Sequence, residues 1–413
     1  MINQKPEKMK NQNKILLLLL IGMLASLGLK AQHRPVDELN KTDRFGFTTM
    51  FYYTYRQWTE GSRETKGSLR FDSFRIWAQT DVDKKFFGAV QYRFYEGWRT
   101  PTYLYVGYHV NDNNTIQLGQ TWVPFGFGYQ PFDDWGNIAF YVGLQDDYDY
   151  GFTWNGNYGI FSIHAGFFKN QQLSASMSTR YDTDIYSGNV NDGDIILVPK
   201  HNREVNQINA RFSVKPSGEK WSTEFGVSGM AGQIYNETSD LNGTRYAAAV
   251  HASVNTGFFH YNIQATWYQY TQALPDTATQ DMQDFINMSS WNFAYEIPGS
   301  ANILTSSVAF DIIGEKLTVH ANYSYLWGGT SQASSQLLTF GARALWESFE
   351  IFGEAYYGVN DPQLSGNASG YGRNAESYDF RFDIRFFYKL NIVSENTIEK
   401  FIDKRNKKAQ KKE

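Results

Sequence analysis

Phe258-Phe259-His260-Tyr261-Asn262-Ile263-Gln264-Ala265-Thr266-Trp267-Tyr268-Gln269-Tyr270 is the stretch that decides the fold. Phe259, Tyr261, Ile263, Ala265 and Trp267 alternate with His260, Asn262, Gln264 and Thr266. Strict alternation sends one set to each face of a β-strand. The same split recurs at 207–215, where Ile208, Ala210, Phe212 and Val214 alternate with Gln207, Asn209, Arg211, Ser213 and Lys215. It recurs again at 378–388, where Tyr378, Phe380, Phe382, Ile384, Phe386 and Tyr388 alternate with Asp379, Arg381, Asp383 and Arg385. Segments 244–255, 317–327 and 148–155 follow the same period.

Composition narrows the class. The chain has 413 residues, of which 17% are aromatic, yet its mean hydropathy is −0.49. It has no cysteine, so disulfides, thiolate zinc sites, iron–sulfur clusters and cysteine nucleophiles are excluded. Its 38 basic and 42 acidic side chains nearly cancel, which argues against a nucleic-acid partner.

The N-terminus reads as an address. Lys5, Lys8, Lys10 and Lys14 precede an apolar run from Ile15 to Leu29, and Ala31 offers a small residue for cleavage. This is the order of a secretory signal peptide over 1–31, with Gln32 starting the exported chain. An uncleaved anchor is the other reading, but the run is short for a spanning helix. No comparable apolar stretch follows, so the exported chain is either soluble or a membrane β-barrel.

Connection lengths choose between them. Short turns near 81–84, 111–114, 155–157, 216–219, 255–257, 314–315 and 347–348 interleave with longer loops near 58–67, 123–147, 169–203, 234–243, 273–300, 329–336 and 361–376. The count is about sixteen strands. Segment 285–297 is also strand-like; it is assigned to a long loop because counting it would make the number odd, and outer-membrane barrels of single bacterial chains have even counts. An all-β transmembrane antiparallel β-barrel, with short periplasmic turns and long external loops, is therefore expected over 32–390. A soluble sandwich would also alternate, but large aromatics at strand ends, such as Trp122, Trp267, Trp327 and Trp346, fit membrane-interface girdles. No repeat of propeller length is present.

Residues 68–126 carry a resemblance. Ser68-Leu69-Arg70-Phe71-Asp72-Ser73-Phe74-Arg75 opens a strand, Tyr105-Val106-Gly107-Tyr108 precedes another, and Leu118-Gly119-Gln120-Thr121-Trp122-Val123-Pro124-Phe125-Gly126 follows. The pattern resembles the phosphate-selective porin family of Gram-negative outer membranes. Asp146-Asp147-Tyr148-Asp149-Tyr150-Gly151 resembles that family's return from its third external loop. The resemblance implies a sixteen-stranded barrel, usually a homotrimer, that passes small solutes. Residues 32–390, however, hold 26 basic and 37 acidic side chains, a net charge of −11. Phosphate selectivity is therefore not carried over.

With aromatics toward lipid, the polar set faces the lumen, because a charge on the lipid face costs about 2–4 kcal/mol at mid-depth. Pore-lining candidates are Arg75, Arg93, Arg211, Arg343, Arg381, Arg385, Asp149, Glu350 and Glu354, joined by Arg245, Glu224, Asp311, Asp379 and Asp383. Arg75 and Arg93 suggest a basic wall, and Glu350 with Glu354 an acidic one. Ion pairs that stiffen the wall are the alternative use of these charges. Loop 123–147, with Pro124, Phe125, Gly126, Asp133, Asp134 and Trp135, is the expected constriction; packing against a neighbouring protomer is its alternative.

Little else suggests chemistry. Asn191-Asp192-Gly193-Asp194-Ile195 has neither the spacing nor the last glutamate of an EF-hand, so no metal and no cofactor is assigned; a solvated loop or a bridging cation are the readings left. Ser307 and His320 could be neighbours on adjacent strands, but no hydrolase motif accompanies them, and no enzyme is expected. The basic tail 391–413 reads as solvated and periplasmic, or as contacting the cell wall or a partner. The sequence thus predicts an outer-membrane porin for passive diffusion of small hydrophilic solutes or ions, in contact with membrane lipid. A closed or plugged barrel acting as an assembly partner is the alternative.

Overall fold

A computed structural model describes residues 43–57, 66–81, 85–128, 136–188, 190–192, 195–197, 199–365, 370–374 and 376–394. The signal peptide, Asp133, Asp134, Trp135 and the tail beyond Ser394 lie outside them.

Sixteen strands pair in sequence order and close on themselves. They are β1 (Asp43–Gln57), β2 (Ser68–Asp81), β3 (Phe86–Tyr95), β4 (Arg99–Asn111), β5 (Asn114–Trp122), β6 (Tyr148–Tyr158), β7 (Phe161–Asn170) and β8 (Asn202–Val214). Then come β9 (Ser222–Asn236), β10 (Leu241–Asn255), β11 (Phe259–Thr271), β12 (Ser300–Asp311), β13 (Leu317–Trp327), β14 (Ser335–Trp346), β15 (Phe349–Val359) and β16 (Tyr378–Ser394). Every neighbouring pair is antiparallel, and β1 seals against β16 with Phe51 opposite Phe386 and Tyr53 opposite Ile384. β16 runs four residues past the expected boundary at 390, pairing Val393 with Phe45 and Ser394 with Asp43.

The alternation in the sequence is the in–out alternation of the wall. On β11, Ala265 and Trp267 are exposed on the outer face while Gln264 and Thr266 are buried inside. Val250, across from Ala265, is 56% exposed, as apolar atoms facing lipid should be. Near the long-loop rim the inner set turns apolar: Tyr268 and Tyr270 are buried inward and Gln269 is exposed. Trp122 departs from the girdle expectation, lying half-buried with its ring 5.9 Å from His164.

Two connections differ from expectation, and a third carries its strand-like segment within the expected loop. The turn expected at 155–157 sits at Gly159–Ile160, because β6 continues to Tyr158 and Gly159 supplies the positive φ of 62°. The loop expected near 234–243 is a tight hairpin. Asn236 Oδ1 accepts from the backbone N–H of Thr238 (3.0 Å) and Ser239 (2.9 Å) and stops the strand there. Residues 285–297 do form strands, but as a hairpin, Phe285–Ser290 with Phe293–Pro298, inside the β11–β12 loop. It adds Asp184–Ile185 as a third strand and takes no place in the barrel.

Beyond β15, Asp361 Oδ1 caps the helical turn Pro362–Ser365 by accepting from the N–H of Gln363 (2.9 Å) and Leu364 (3.0 Å). Tyr371 donates to its other oxygen at 3.1 Å. Burial still pushes the Asp361 carboxyl up to about 7. A raised carboxyl stabilises the fold fully below its unfolded value of about 3.9, and that contribution is lost as pH rises through the folded value. Hydrogen-exchange protection factors over 360–365 and 370–374, corrected for the intrinsic rise of the exchange rate with pH, should therefore fall between pH 5 and pH 8, and Asp361→Asn should flatten that dependence. Val250→Arg should cost about 2–4 kcal/mol in urea unfolding from lipid vesicles.

Candidate functional site

The lumen is crossed by the β5–β6 loop. Val123 N–H donates to Asp147 O (2.8 Å), pinching the loop shut at its base. From there the loop reaches the far wall. Gly126 N–H donates to Ser228 Oγ on β9 (3.0 Å), Phe127 N–H to Gln264 Oε1 on β11 (2.8 Å), and Arg211 Nε on β8 to Gly126 O (2.7 Å). Farther along, Ile138 N–H donates to Ser324 Oγ on β13 (3.0 Å), and Arg245 Nη2 on β10 donates to Gly143 O (2.9 Å). Two glycines make these approaches. Gly126 has φ 56°, and a Cβ there would stand 2.3 Å from Gln264 Oε1; Gly143 has φ 70° and would meet Thr183 O at 2.7 Å.

Between the anchors the loop is apolar and buried. Asn137 caps a single helical turn, Ile138–Tyr141, all of whose residues are buried. Phe140 stacks on Trp291 at 5.0 Å and Tyr141 on Tyr371 at 5.9 Å, while Tyr295 Oη donates to Tyr141 O (2.8 Å). One apolar cluster joins this loop to the hairpin 285–298, to Leu364 and Tyr371, and to the wall residues Met230, Ile234, Tyr268, Tyr270, Ile303, Leu326 and Leu337. Three long loops are also clamped by charge: Lys200 and Arg373 both hold Glu296, and Arg373 also holds Asp281.

Below the cluster the inner wall is polar, and its charges are matched. Glu354 on β15 receives His320 Nε2 from β13 (3.0 Å), Tyr356 Oη (2.5 Å) and Arg385 from β16. Glu350 faces Arg343 on β14 (3.7 Å) and Lys389 on β16. Arg381 pairs with Asp383. The expected acidic wall of Glu350 and Glu354 is thus countered by basic residues two strands away or fewer, which the linear sequence does not reveal. His320 Nε2 lies against Glu354, and Ser307 sits opposite Asn322 rather than His320.

On the other side, Arg211 binds Glu224, and His251 Nε2 lies 3.3 Å from the same carboxylate. Arg75 and Arg93 are direct cross-strand partners, two like charges side by side. Asp72 lies 3.9 Å from Arg75, and the Arg93 guanidinium stacks 3.8 Å over the Tyr181 ring. Pro124, Phe125 and Gly126 are buried at the root of the crossing loop. Asp149 is buried at the upper end of β6, beside Asp147 and Asp184. Burial and then Asp184 push the Asp147 and Asp182 carboxyls well above the usual range; burial also raises Asp184, against the opposing charge of Arg180.

No protein-family model matches the chain, and no curated protein sequence matches it significantly. Solved structures do. The OmpF of Salmonella typhi in complex with daunomycin aligns at TM-score 0.56 and 10% identity, over 87% of this chain and 100% of its own. The outer membrane channel DcaP of Acinetobacter baumannii aligns at 0.55 and 11%, over 87% and 100%. The anion-selective porin of Comamonas acidovorans aligns at 0.53 and 11%, over 85% and 99%. The fold is that of the outer-membrane porins. At such identities the likeness is one of architecture.

What sequence reading missed is the apolar upper lining. Its signal was available: on β9, β11, β12, β13 and β14 the inward phase turns from polar to apolar toward one end, at Ile234, Tyr268, Ile303, Leu326 and Leu337. Glu354→Ala should destabilise the barrel by about 3–5 kcal/mol, because it leaves the buried Arg385 guanidinium uncompensated. Urea unfolding in detergent micelles reads this, and Glu350→Ala, whose partner Lys389 is more exposed, should cost less.

Proposed function

We propose that the protein is an outer-membrane porin that lets small hydrophilic solutes or ions diffuse through its lumen, with the β5–β6 loop as the constriction. The observation that carries the reading is the loop's path: it leaves the wall at Val123, its backbone is hydrogen-bonded to side chains on five other strands of the barrel, and it returns at Asp147. Such a loop narrows a cylinder without blocking the polar wall beneath it. Charges that line a pore tune which ions pass. Of the pore-lining candidates, Arg211, Arg343, Arg381 and Arg385 are paired with acidic residues on the same or the next strand, Arg75 and Arg93 lie side by side on β2 and β3, and Glu350 and Glu354 are each met by basic residues. No covalent step is needed, and no enzyme activity is assigned.

The resemblance to phosphate-selective porins supports the class and, with it, a homotrimer in the outer membrane reached through a cleaved signal peptide. It does not extend to phosphate, because over residues 32–390 the acidic side chains outnumber the basic ones, 37 to 26. A second reading has its own observation. The apolar cluster of the loops fills the upper lumen, as a plug would, and a plugged barrel would serve as an assembly partner in the outer membrane.

Planar bilayer recordings separate the two. Stepwise conductance from the purified protein supports the porin, and its absence supports the plug. Replacing 127–141 with a short Gly-Ser linker should raise single-channel conductance; an unchanged value removes the constriction role. The reversal potential in a salt gradient then reports the net field at the narrowest point.

A further inference from the structure

We propose that Asp147, Asp149 and Asp184 form a binding site for a hard divalent cation of the calcium class, which fastens the returning end of the crossing loop to the segment around Asp184. One carboxylate oxygen from each of the three residues lies within 4.8 Å of the others. Calcium takes oxygen ligands at about 2.3–2.6 Å, so ligands on opposite sides of one ion stand up to about 5 Å apart. All three are buried, at 3%, 1% and 0% exposure. The Oδ1 atoms of Asp147, Asp149 and Asp184 have no hydrogen-bond partner.

A second observation points the same way. Thr121 on β5 is the register partner of Asp149 on β6, so both side chains leave the same face of the sheet. Thr121 is fully buried, and its Oγ1 is bonded to nothing. A buried, unpartnered hydroxyl oxygen beside Asp149 on the same face of the sheet adds an oxygen donor of the kind a hard cation takes. Asp182, also fully buried with an unpartnered Oδ1, stands next to it as a further oxygen.

The nearby arginines are already committed. Arg180 holds Asp184 and the carbonyls of Ser174 and Met177. Arg245 holds Glu204, Gln207 Oε1 (2.7 Å) and Gly143 O. No described basic side chain forms an ion pair with Asp147 or Asp149. Buried carboxylates are paired or coordinate metals. An all-oxygen set without His or Cys suits calcium, magnesium or manganese rather than zinc or copper.

The site joins three chain segments: the end of the crossing loop at Asp147, the wall at Thr121 and Asp149, and the inserted strand Asp184–Ile185, which pairs with the hairpin at Ser289 and Met288. A bound cation would therefore tie the loop to the wall and to the hairpin at one point.

The test uses the full chain folded in detergent, stripped with EDTA and titrated with CaCl2 by isothermal calorimetry to about 10 mM, above the weakest extracellular calcium sites. Terbium luminescence excited through tyrosine gives a second readout, since Tyr148 and Tyr181 adjoin the site. The expected result is one saturable calcium per chain, a higher Tm with calcium than with EDTA, and binding weakened about tenfold or more in Asp149→Asn, equal to about 1.4 kcal/mol. Thr121→Val should weaken binding with the fold intact. Absence of saturable binding overturns the proposal and leaves the carboxyls neutralised by protons. Wild-type affinity in Asp149→Asn overturns it as well. If that variant does not fold, equal Tm of the wild type with EDTA and with calcium overturns the site, and a calcium-dependent rise that Thr121→Val reduces supports it.

Discussion

A backbone amide in hydrocarbon has no water to turn to, and every other feature of this molecule follows from that constraint. A helix satisfies it within one segment. A sheet satisfies it only by closing, which is why β16 must find β1; because β1 and β16 pair antiparallel like every other neighbouring pair, the strand count is even. Closure fixes two surfaces at once. The outer one dissolves aromatic and aliphatic side chains in lipid. The inner one is left with the polar half of each strand, and those polar groups must find each other or water. The salt bridges around Glu354, Glu350 and Glu224 are the result.

The upper lumen obeys a different rule. Loops that enter a barrel bring backbone polar groups with them, and these need partners too. Ser228, Gln264 and Ser324 supply them from the wall, at 3.0, 2.8 and 3.0 Å. The loop's apolar residues then need apolar neighbours. The wall supplies these by reversing polarity on its inner face over the last few residues of several strands. The barrel is thus built in two storeys, polar below and apolar above, with the crossing loop at the boundary.

Much of this is legible in the sequence. Period-two alternation at 207–215, 258–270 and 378–388 gives the strands and their facing, because a lipid-facing residue has few alternatives to being apolar. The even count excludes 285–297 from the wall, and the structure places it in a loop hairpin. Less legible are relations across strands. Glu354 and Arg385 lie 31 residues apart, and Asp149 and Asp184 lie 35 apart, so no local pattern joins them. At Gly159 and Asn236 a glycine of positive φ and an asparagine cap, rather than loop composition, end the strand, and hydrophobic periodicity does not place such turns. The inward tyrosines Tyr268 and Tyr270 break the polar phase of β11, and that break becomes meaningful only once the loop residues that pack on them are known.

The polarity reversal on the inner wall has a mechanical consequence. Wall residues such as Ile303, Leu326 and Leu337 belong to the same apolar cluster as the crossing loop and the hairpin 285–298. Withdrawing one loop would expose its partners and the wall to water together. The inserted segments are therefore coupled through one shared apolar contact surface, so the seating of each depends on the seating of the others.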